Sequence, residues 1–340
     1  TDDGLWRSLD GGDTWARLPL GNTHEAVLSL VVHPLYPSLL YAGAAGSVWR
    51  STDRGEHWQS AQEGAPLFDS WSLAVHPWNP NIVYAGTDQG VYVSMNAGTS
   101  WHPASNGLPP DARVQALAVA NSHYLYAGTP TGLYRSQDGG ATWQSVGQAA
   151  GLDSVPMLLF APDDNGTLYA SNQGGNLYRS VDAGQSWDAL GQAGAGQPIL
   201  ALVVTTGTPR QLYAGTTRGA YKSTDGGLHW SAINRGINSS AIRQIVDVPG
   251  TRGQLYAVTE HDLYQTQNGG KTWRPASNDP MRAISHLALD PVDTNKLYAC
   301  TDQGHLNVSP NAGQTWEPIP APPMAQPHCT ALAVHHPASD

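Results

Sequence analysis

Residues 72–101 read SLAVHPWNPNIVYAGTDQGVYVSMNAGTSW and contain one repeat of this chain except for its last strand. Three short runs in it are rich in Val, Leu, Ala and Tyr: SLAV at 72–75, IVYAG at 82–86 and VYVS at 91–94. Such runs, separated by turns with Pro, Asn and Gly, are typical of short antiparallel strands. The segment ends in a box, SMNAGTSW, that closes on Trp101. We therefore expect three strands, A to C, before the box and a fourth, D, after it.

The box recurs eight times, and each copy keeps Ser or Thr first, Asp or Asn third, Gly fifth and Trp last. The copies are SLDGGDTW (8–15), STDRGEHW (51–58), SMNAGTSW (94–101), SQDGGATW (136–143), SVDAGQSW (180–187), STDGGLHW (223–230), TQNGGKTW (266–273) and SPNAGQTW (309–316). Successive box tryptophans are 42 to 44 residues apart. Four strands in a repeat of that length are typical of a propeller blade. The sequence therefore predicts an all-β fold, a single eight-bladed β-propeller of four-stranded antiparallel blades that occupies residues 1–340 as one domain.

The two ends of the chain are predicted to share the closing blade. The first residues, TDDGLWRS, align with TDQGVYVS at 87–94 and therefore begin before a C strand. The last residues, CTALAVHHPASD at 329–340, contain an A strand and the start of its turn. Pairing these segments would remove exposed sheet edges. The B strand of that blade is missing, so either the natural chain extends past these ends or the closing blade is one strand short.

Each box lies between strands C and D, and its residue types suit a tight turn. The Asp or Asn side chain and the Ser or Thr hydroxyl can accept hydrogen bonds from N–H groups of their own turn. Gly at the fifth position permits a positive φ. A structural role is therefore assigned to Asp10, Asp53, Asn96, Asp138, Asp182, Asp225, Asn268 and Asn311. A calcium loop is not expected, because one carboxylate or amide per turn cannot supply about six to eight oxygen ligands.

The composition limits the classes of partner. The chain has 340 residues, a formal net charge of -10 and only 13% charged residues. Such a chain lacks the clustered Lys and Arg that bind phosphate backbones, so nucleic acid is not an expected partner. No apolar run approaches the roughly 20 residues that span a bilayer, and the first residues show no signal-peptide pattern. The two cysteines, Cys300 and Cys329, predict either a disulfide between neighbouring blades or two unrelated buried residues.

The eight boxes make the chain resemble the Asp-box, or BNR, repeat family of β-propellers over nearly its whole length. That family includes sialidases, xyloglucan-active endoglucanases, sortilin-like receptors and photosystem II assembly factors, so the resemblance implies the fold far more than it implies one function. The flanks HPWNPNIVYAGTDQGVYVS at 76–94 look most like the xyloglucanase subgroup. A sialidase is not expected, because the Arg-Ile-Pro-like motif of that class does not precede the first box; Arg17-Leu18-Pro19 follows it instead.

The xyloglucanase likeness implies a pair of catalytic carboxylates in a cleft between two propellers. Asp88 and Asp302 occupy the family-like TDxG turn, and an inverting hydrolase needs its acid and base about 6.5–9.5 Å apart. TDxG is also the consensus turn of this repeat, so turn chemistry explains these aspartates better than catalysis does. No catalytic residue is assigned, and a glycoside hydrolase of xyloglucanase type, or a fragment of one, is kept as the alternative function.

No metal or cofactor is predicted. His33, His76 and His335 recur at the end of strand A, which places them in separate blades rather than around one ion. Capping the strand end is the simpler role for these imidazoles. The chain has no P-loop, dinucleotide fingerprint or nucleophile elbow.

In a four-stranded meander the A–B turns and the boxes share one face, here called the box face. The B–C turns and the D–A connections share the other, here called the variable-loop face, and binding sites tend to lie on variable loops held by a rigid scaffold. Candidate ligand-binding residues on it are Phe68, Asp69, Trp71, Asp88, Arg113, Arg243, Glu260, His261, Asp262, Arg282 and Asp302. We therefore expect a non-catalytic interaction or scaffold propeller that binds a protein or glycan partner through this face. Its expected location is outside the cytoplasm: secreted, periplasmic or at the cell surface.

Overall fold

The structure is a computed structural model, and it describes residues 5–8, 16–20, 26–61, 63, 69–120, 124–147, 151–152, 155, 157–161, 164–172, 174–206, 210–238, 241–251, 253–276, 284–290, 292–319 and 332. All regular elements in these residues are β-strands. No helix in the described part of the chain is long and apolar enough to cross a membrane.

The strands form one two-stranded sheet and seven four-stranded sheets. The two-stranded sheet is a hairpin of β1 (Leu5–Arg7) and β2 (Ala16–Leu18). Blades 1 to 3 are β3 (Val27–Val32), β4 (Leu40–Ala44), β5 (Ser47–Ser51), β6 (Gln59–Ser60); β7 (Ser70–Val75), β8 (Val83–Thr87), β9 (Gly90–Ser94), β10 (His102–Pro103); and β11 (Ala116–Ala120), β12 (Tyr124–Thr129), β13 (Gly132–Ser136), β14 (Gln144–Val146). Blades 4 and 5 are β15 (Met157–Ala161), β16 (Asp164–Ser171), β17 (Leu177–Ser180), β18 (Asp188–Ala189); and β19 (Ile199–Val204), β20 (Leu212–Thr216), β21 (Gly219–Ser223), β22 (Ser231–Ala232). Blades 6 and 7 are β23 (Ile242–Asp247), β24 (Leu255–Thr259), β25 (Leu263–Thr266), β26 (Arg274–Pro275); and β27 (Ile284–Leu289), β28 (Leu297–Thr301), β29 (Leu306–Ser309), β30 (Glu317–Ile319).

The prediction of eight blades is wrong, because the described residues form seven four-stranded blades. Each box marks a C–D turn, and a C–D hairpin is only half of a four-stranded blade. A box whose hairpin lacks strands A and B is therefore counted as a blade although it is not a complete one. The first box connects β1 to β2, which pair only with each other in the described part of the chain. The predicted closing strand falls on residues 329–340, which lie outside the described residues except for Leu332.

The hydrophobic core is divided into clusters that lie between consecutive blades. Between blades 1 and 2, Tyr41 packs with Val83 and the box residue Trp101. Equivalent clusters join every further pair of neighbouring blades up to blades 6 and 7, and the β1–β2 hairpin packs on blade 1 through Leu5 and Leu18. Strands B and C of blade 2 are buried along their whole length. Burial on both sheet faces explains why such strands are apolar at consecutive positions.

Strand A begins with a β-bulge in five of the seven blades as described. The register against strand B skips one residue there, and the skipped residues are Leu28, Trp71, Leu200, Arg243 and Ser285. A bulge leaves the extra residue outside the ladder and re-aims its side chain. Leu28, Leu200 and Arg243 are exposed although the residue before each of them is buried. Because each bulge opposes the end of strand B, these side chains lie beside the B–C turns on the variable-loop face.

Candidate functional site

The boxes form hydrogen-bonded turns of one common geometry. In the box at 180–187, the Ser180 hydroxyl donates to Asp182 Oδ1 at 2.7 Å and accepts from Gly184 N at 2.7 Å. Asp182 Oδ1 also accepts from Ser186 N at 2.9 Å, and Oδ2 accepts from the Ser186 hydroxyl at 2.6 Å. Burial would raise the pKa of Asp182, but the hydrogen bonds from Ser186 and Ser180 outweigh it and lower the pKa from 3.8 to about 2.

The bond from the first to the third box residue recurs throughout the described boxes. The third residues that accept it are Asp53, Asn96, Asp138, Asp225, Asn268 and Asn311, whereas Asp10 lies outside the described residues. Asn can take the place of Asp at the third position because the hydroxyl of the seventh residue can either donate or accept a hydrogen bond. Asn96 Nδ2 donates to Ser100 Oγ at 2.8 Å, where Asp182 accepts from Ser186.

The boxes also form hydrogen bonds to neighbouring blades, a role that the sequence did not predict. Arg135 Nη1 donates to the carbonyl of Ala183, the fourth residue of the next box, at 2.8 Å. Trp143 Nε1 donates to the carbonyl of Ala104 in the preceding blade at 2.6 Å. The corresponding bonds to fourth box residues elsewhere come from Arg7, Arg50 and Lys222. The available signal was a basic residue directly before five of the eight boxes.

The histidines that end strand A cap the turn that follows. His33 Nδ1 accepts from Leu35 N at 3.2 Å and Tyr36 N at 3.3 Å, and His33 Nε2 lies 3.1 Å from the His76 carbonyl oxygen. Burial lowers the pKa of His33 below 6.5. The sequence placed these histidines far apart, but the A strands of neighbouring blades lie side by side and bring two of them together. His335 lies outside the described residues.

One group of the described residues has the donor types of a metal site. Asp53, Glu56 and His57 of the second box each bring one ligand atom within 4.8 Å of the others. His57 Nδ1 already hydrogen-bonds Asp53 Oδ2 at 2.6 Å, and Arg7 lies 4.0 Å from Glu56. Contacts within and between blades therefore account for this group, and we assign no metal to it.

The TDxG turns on the variable-loop face are closed by Thr rather than Asp. In the turn at 87–90, the Thr87 hydroxyl donates to the Gly90 carbonyl at 2.9 Å and accepts from Gln89 N at 3.0 Å. Asp88 is exposed and lies near Tyr92, whose pKa is raised by burial and further by the Asp88 charge. Turn chemistry therefore explains the Thr of this motif, and the Asp is left to face solvent.

Three of the predicted site residues meet on this face. Arg243 Nη2 lies 3.0 Å from Glu260 Oε1, and Arg243 Nη1 lies 3.6 Å from Asp302 Oδ2. Arg243 is the bulge residue of blade 6, Glu260 belongs to the B–C turn of the same blade, and Asp302 belongs to the B–C turn of blade 7. Roughly half of each side chain is exposed. The cluster therefore joins two blades at the surface, with two carboxylates around one guanidinium.

The remaining candidates are not part of this cluster. His261 is exposed, Asp262 is half-buried beside it, Arg113 is exposed and Asp69 is half-buried. Asp262 belongs to a tight turn, because its backbone N–H donates to the Thr259 hydroxyl and its carbonyl accepts from it, both at 2.9 Å. Phe68 and Arg282 lie outside the described residues, as does the side chain of Trp71, whose backbone forms the bulge of blade 2. Cys300 is buried, and Cys329 lies outside the described residues.

Two family models match parts of the chain. The model of sortilin-Vps10 (sortilin, neurotensin receptor 3) matches residues 3–119, and that of the photosynthesis system II assembly factor YCF48, of BNR type, matches residues 78–207. No curated protein matches the chain significantly.

Solved structures of low sequence identity share the fold. An ancestral GH74 enzyme is 17% identical with a TM-score of 0.60, covering 93% of this chain and 51% of that one. YCF48 bound to D1 peptide is 18% identical with a TM-score of 0.52, covering 75% and 86%. An extracellular domain from B. thetaiotaomicron is 15% identical with a TM-score of 0.53, covering 93% and 49%. The chain thus spans about half the length of the GH74 enzyme. The repeated boxes, the four-stranded blades and the two family models, each matching a little over a third of the chain, are those of a BNR-like repeat β-propeller.

Proposed function

We propose that this propeller is a non-catalytic interaction protein that binds a protein partner through its variable-loop face. The observation that supports it is the Arg243–Glu260–Asp302 cluster, in which three predicted site residues from two blades converge at the surface. The cluster carries one more negative than positive charge, and Asp262 adds another in the turn that contains Glu260. Exposed charges of this kind steer and select a charged protein segment, whereas they offer little to a neutral glycan. The YCF48 structure with a D1 peptide is a precedent for peptide binding on this fold.

The alternative is a glycoside hydrolase of xyloglucanase type, and the same cluster is its best candidate site because it holds two carboxylates. An inverting hydrolase needs one carboxyl group protonated as the acid and the other ionised as the base. Here both carboxylates form ion pairs with a single guanidinium, an arrangement suited to two negative charges. This geometry favours binding over hydrolysis.

An extracytoplasmic location, secreted, periplasmic or at the cell surface, is part of the proposal. Its support is that the fold is shared with an extracellular domain from B. thetaiotaomicron. Surface labelling of the native host with a membrane-impermeant reagent, followed by detection of the chain, would test it.

A peptide-display library panned on the immobilised chain tests the binding proposal. We expect enriched peptides to carry Lys or Arg and to lose at least tenfold in affinity, measured by fluorescence anisotropy, when Glu260→Lys and Asp302→Lys are combined. Glu317→Lys in strand D of blade 7 makes the same change of charge as either single substitution, at an exposed position away from this face, and should leave affinity unchanged. Enriched peptides that bind both variants equally would refute the proposal.

A reducing-sugar assay on xyloglucan and mixed-linkage β-glucan tests the alternative. We expect no release of reducing ends by the wild-type chain. Release that disappears in Asp302→Asn or Glu260→Gln would establish the hydrolase instead. Asp88→Ala serves as the comparison, because Asp88 carries the same TDxG motif in blade 2, away from the cluster.

A further inference from the structure

The chain has three Asn-Gly pairs, and two of them, at 106–107 and 268–269, lie in opposite chemical surroundings. In such a pair the backbone nitrogen of the glycine can attack the side-chain carbonyl carbon of the asparagine, because glycine has no side chain in the way. The two atoms must reach each other, so the rate depends on whether the fold holds them apart. The asparagine side chain of the third pair, at 165–166, lies outside the described residues.

The pair at 268–269 belongs to the box at 266–273 and is held at both reacting groups. Asn268 Oδ1 accepts from the Thr266 hydroxyl at 2.9 Å and from Thr272 N at 3.0 Å, and Asn268 Nδ2 donates to Thr272 Oγ1 at 2.8 Å. Gly269 is buried, and its N–H donates to the Gly253 carbonyl at 2.9 Å. The amide carbon and the attacking nitrogen therefore cannot turn toward each other without breaking these bonds.

The pair at 106–107 lies in the D–A connection of blade 2 and is held at neither group. Both of its residues are exposed. The Asn106 side chain and the Gly107 N–H form no hydrogen bond with any residue that the structure describes. The turn is closed instead by Leu108 N, which donates to the Ser105 carbonyl at 2.9 Å, and Gly107 has a φ of +95°. The side-chain amide and the attacking N–H are thus both left to solvent.

The fold uses the backbone of Asn106 and not its amide. Asn106 O accepts from the backbone N–H of Trp143, the last residue of the next box, at 2.8 Å. In blade 6 the same turn has Arg235 at this position, and Arg235 O accepts from Trp273 N at 2.8 Å. The glycine that follows has a φ of +95° in blade 2 and +96° in blade 6. Because an arginine serves the same turn, no packing requirement fixes the side chain of Asn106.

We propose that Asn106 is a site of spontaneous deamidation and isoaspartate formation in the folded protein, and that the box protects Asn268 from the same reaction. Gly107 N loses its proton to hydroxide and attacks Cγ of Asn106, the Cγ–Nδ2 bond breaks, and ammonia leaves. Water then opens the resulting succinimide ring. Opening at Cγ gives aspartate, and opening at the main-chain carbonyl carbon gives isoaspartate. Water has then replaced ammonia, and no oxidant or reductant is needed.

Isoaspartate at position 106 also loosens the contact between blades 2 and 3. Its main chain runs through Cβ and Cγ, so the carbonyl group that accepts from Trp143 N becomes a side carboxylate and the main chain gains one atom. The turn has no space for added atoms, because a Cβ on Gly107 would already overlap the Trp143 carbonyl oxygen. Both products add one negative charge, but only isoaspartate displaces the backbone that holds Trp143.

Peptide mapping by mass spectrometry, after incubation of the full folded chain in mildly alkaline buffer, tests this proposal. Fragment spectra locate each conversion of amide to acid, and isoaspartyl methyltransferase with labelled S-adenosylmethionine identifies isoaspartate. We expect Asn106 to convert at least about tenfold faster than Asn268 in the folded chain, and the two to convert at similar rates in concentrated urea. Both pairs have the same local chemistry, so the difference isolates the effect of the fold.

Two variants separate the causes. Thr272→Ala removes the hydroxyl that holds Asn268 Nδ2, so it should raise the rate of conversion of Asn268 several-fold and leave that of Asn106 unchanged. Asn106→Gln lengthens the side chain and should abolish isoaspartate at this position. It should also prevent the fall in Tm that the wild type acquires during the incubation.

Two results of the mapping would overturn the proposal. In one, Asn106 stays intact in the folded chain although it converts in urea. In the other, the two asparagines convert at equal rates in the folded chain. An unchanged rate for Asn268 in Thr272→Ala would overturn the protective role of that hydroxyl. Isoaspartate at position 106 with no fall in Tm would overturn the loosening of the contact with Trp143.

Discussion

Removing one buried hydroxyl from a box should cost far more than removing an exposed one from the same box. Ser180 is 1% exposed, and its hydroxyl makes hydrogen bonds to Asp182 and Gly184. In Ser180→Ala the Gly184 N–H, which is also buried, loses its acceptor. An unsatisfied buried donor costs about 1–3 kcal/mol, and the lost bond to the carboxylate adds to that. We therefore expect the free energy of unfolding to fall by about 2–3 kcal/mol.

Ser186→Ala is the matched control. Ser186 is exposed, and Asp182 keeps the hydrogen bond from the Ser186 backbone N–H when its hydroxyl is removed. Water replaces the lost partner, so the expected loss is about 0.5 kcal/mol. Both variants make the same chemical change within one turn, so the difference between them isolates the effect of burial.

Urea unfolding monitored by tryptophan fluorescence, together with calorimetry, measures both losses. A loss of about 2–3 kcal/mol corresponds to a fall in Tm of about 3–4 °C for a chain of 340 residues. Equal losses in the two variants, or a loss below about 0.5 kcal/mol for Ser180→Ala, would refute the view that the box is held by its buried hydroxyl.

Three further predictions follow from contacts between and within blades. Burial favours the neutral form of His33 in the folded state and lowers its pKa, so the stabilisation it contributes is complete above pH 6.5 and is lost as pH falls through the lowered pKa. In His33→Asn the free energy of unfolding should therefore depend less on pH in this range, as measured by urea unfolding at several pH values. Arg135→Met removes the hydrogen bond to the Ala183 carbonyl at 2.8 Å and should lower the free energy of unfolding by about 1.5–3 kcal/mol in the same assay. An unchanged free energy of unfolding would show that this hydrogen bond between blades does not stabilise the fold. A Cβ on Gly86 would lie 2.7 Å from Val114 Cγ1, so Gly86→Ala should cost about 1–3 kcal/mol. Val114→Ala should recover part of that loss, whereas strictly additive losses would contradict the overlap.

Local chemistry in each repeat was predictable because the box uses contacts within eight residues. Ser, Asp or Asn and Gly at fixed positions encode the same turn wherever they occur, and the structure contains that turn in each described box. The number of blades was not predictable by counting these turns. A blade needs four paired strands, and β1 and β2 have no further partner in the described residues. Pairing depends on what lies beside a hairpin in space, which a local motif does not record.

The candidate site, too, was predicted in part from the sequence and in part only from the structure. Its residues were expected on the variable-loop face because alternating turns assign each loop to one face. The ion pairs of Arg243 with Glu260 and Asp302 were not foreseen, because they depend on the bulge in strand A and on contact with the next blade. Four of the five basic residues that precede boxes donate to a backbone carbonyl of the neighbouring box, a contact that is evident only when the two blades are side by side.

The sequence by itself determined the repeat, the four-stranded meander, the box turn and the face on which each loop lies, since these depend on residues close together in the chain. Only the tertiary structure decided the count of seven blades in the described part of the chain, the links between boxes and neighbouring blades, and the grouping of Arg243, Glu260 and Asp302. The physical reason is that equivalent residues of neighbouring blades are about 43 positions apart in the sequence. Contacts between them depend on how the blades pack in space, which no local sequence pattern records.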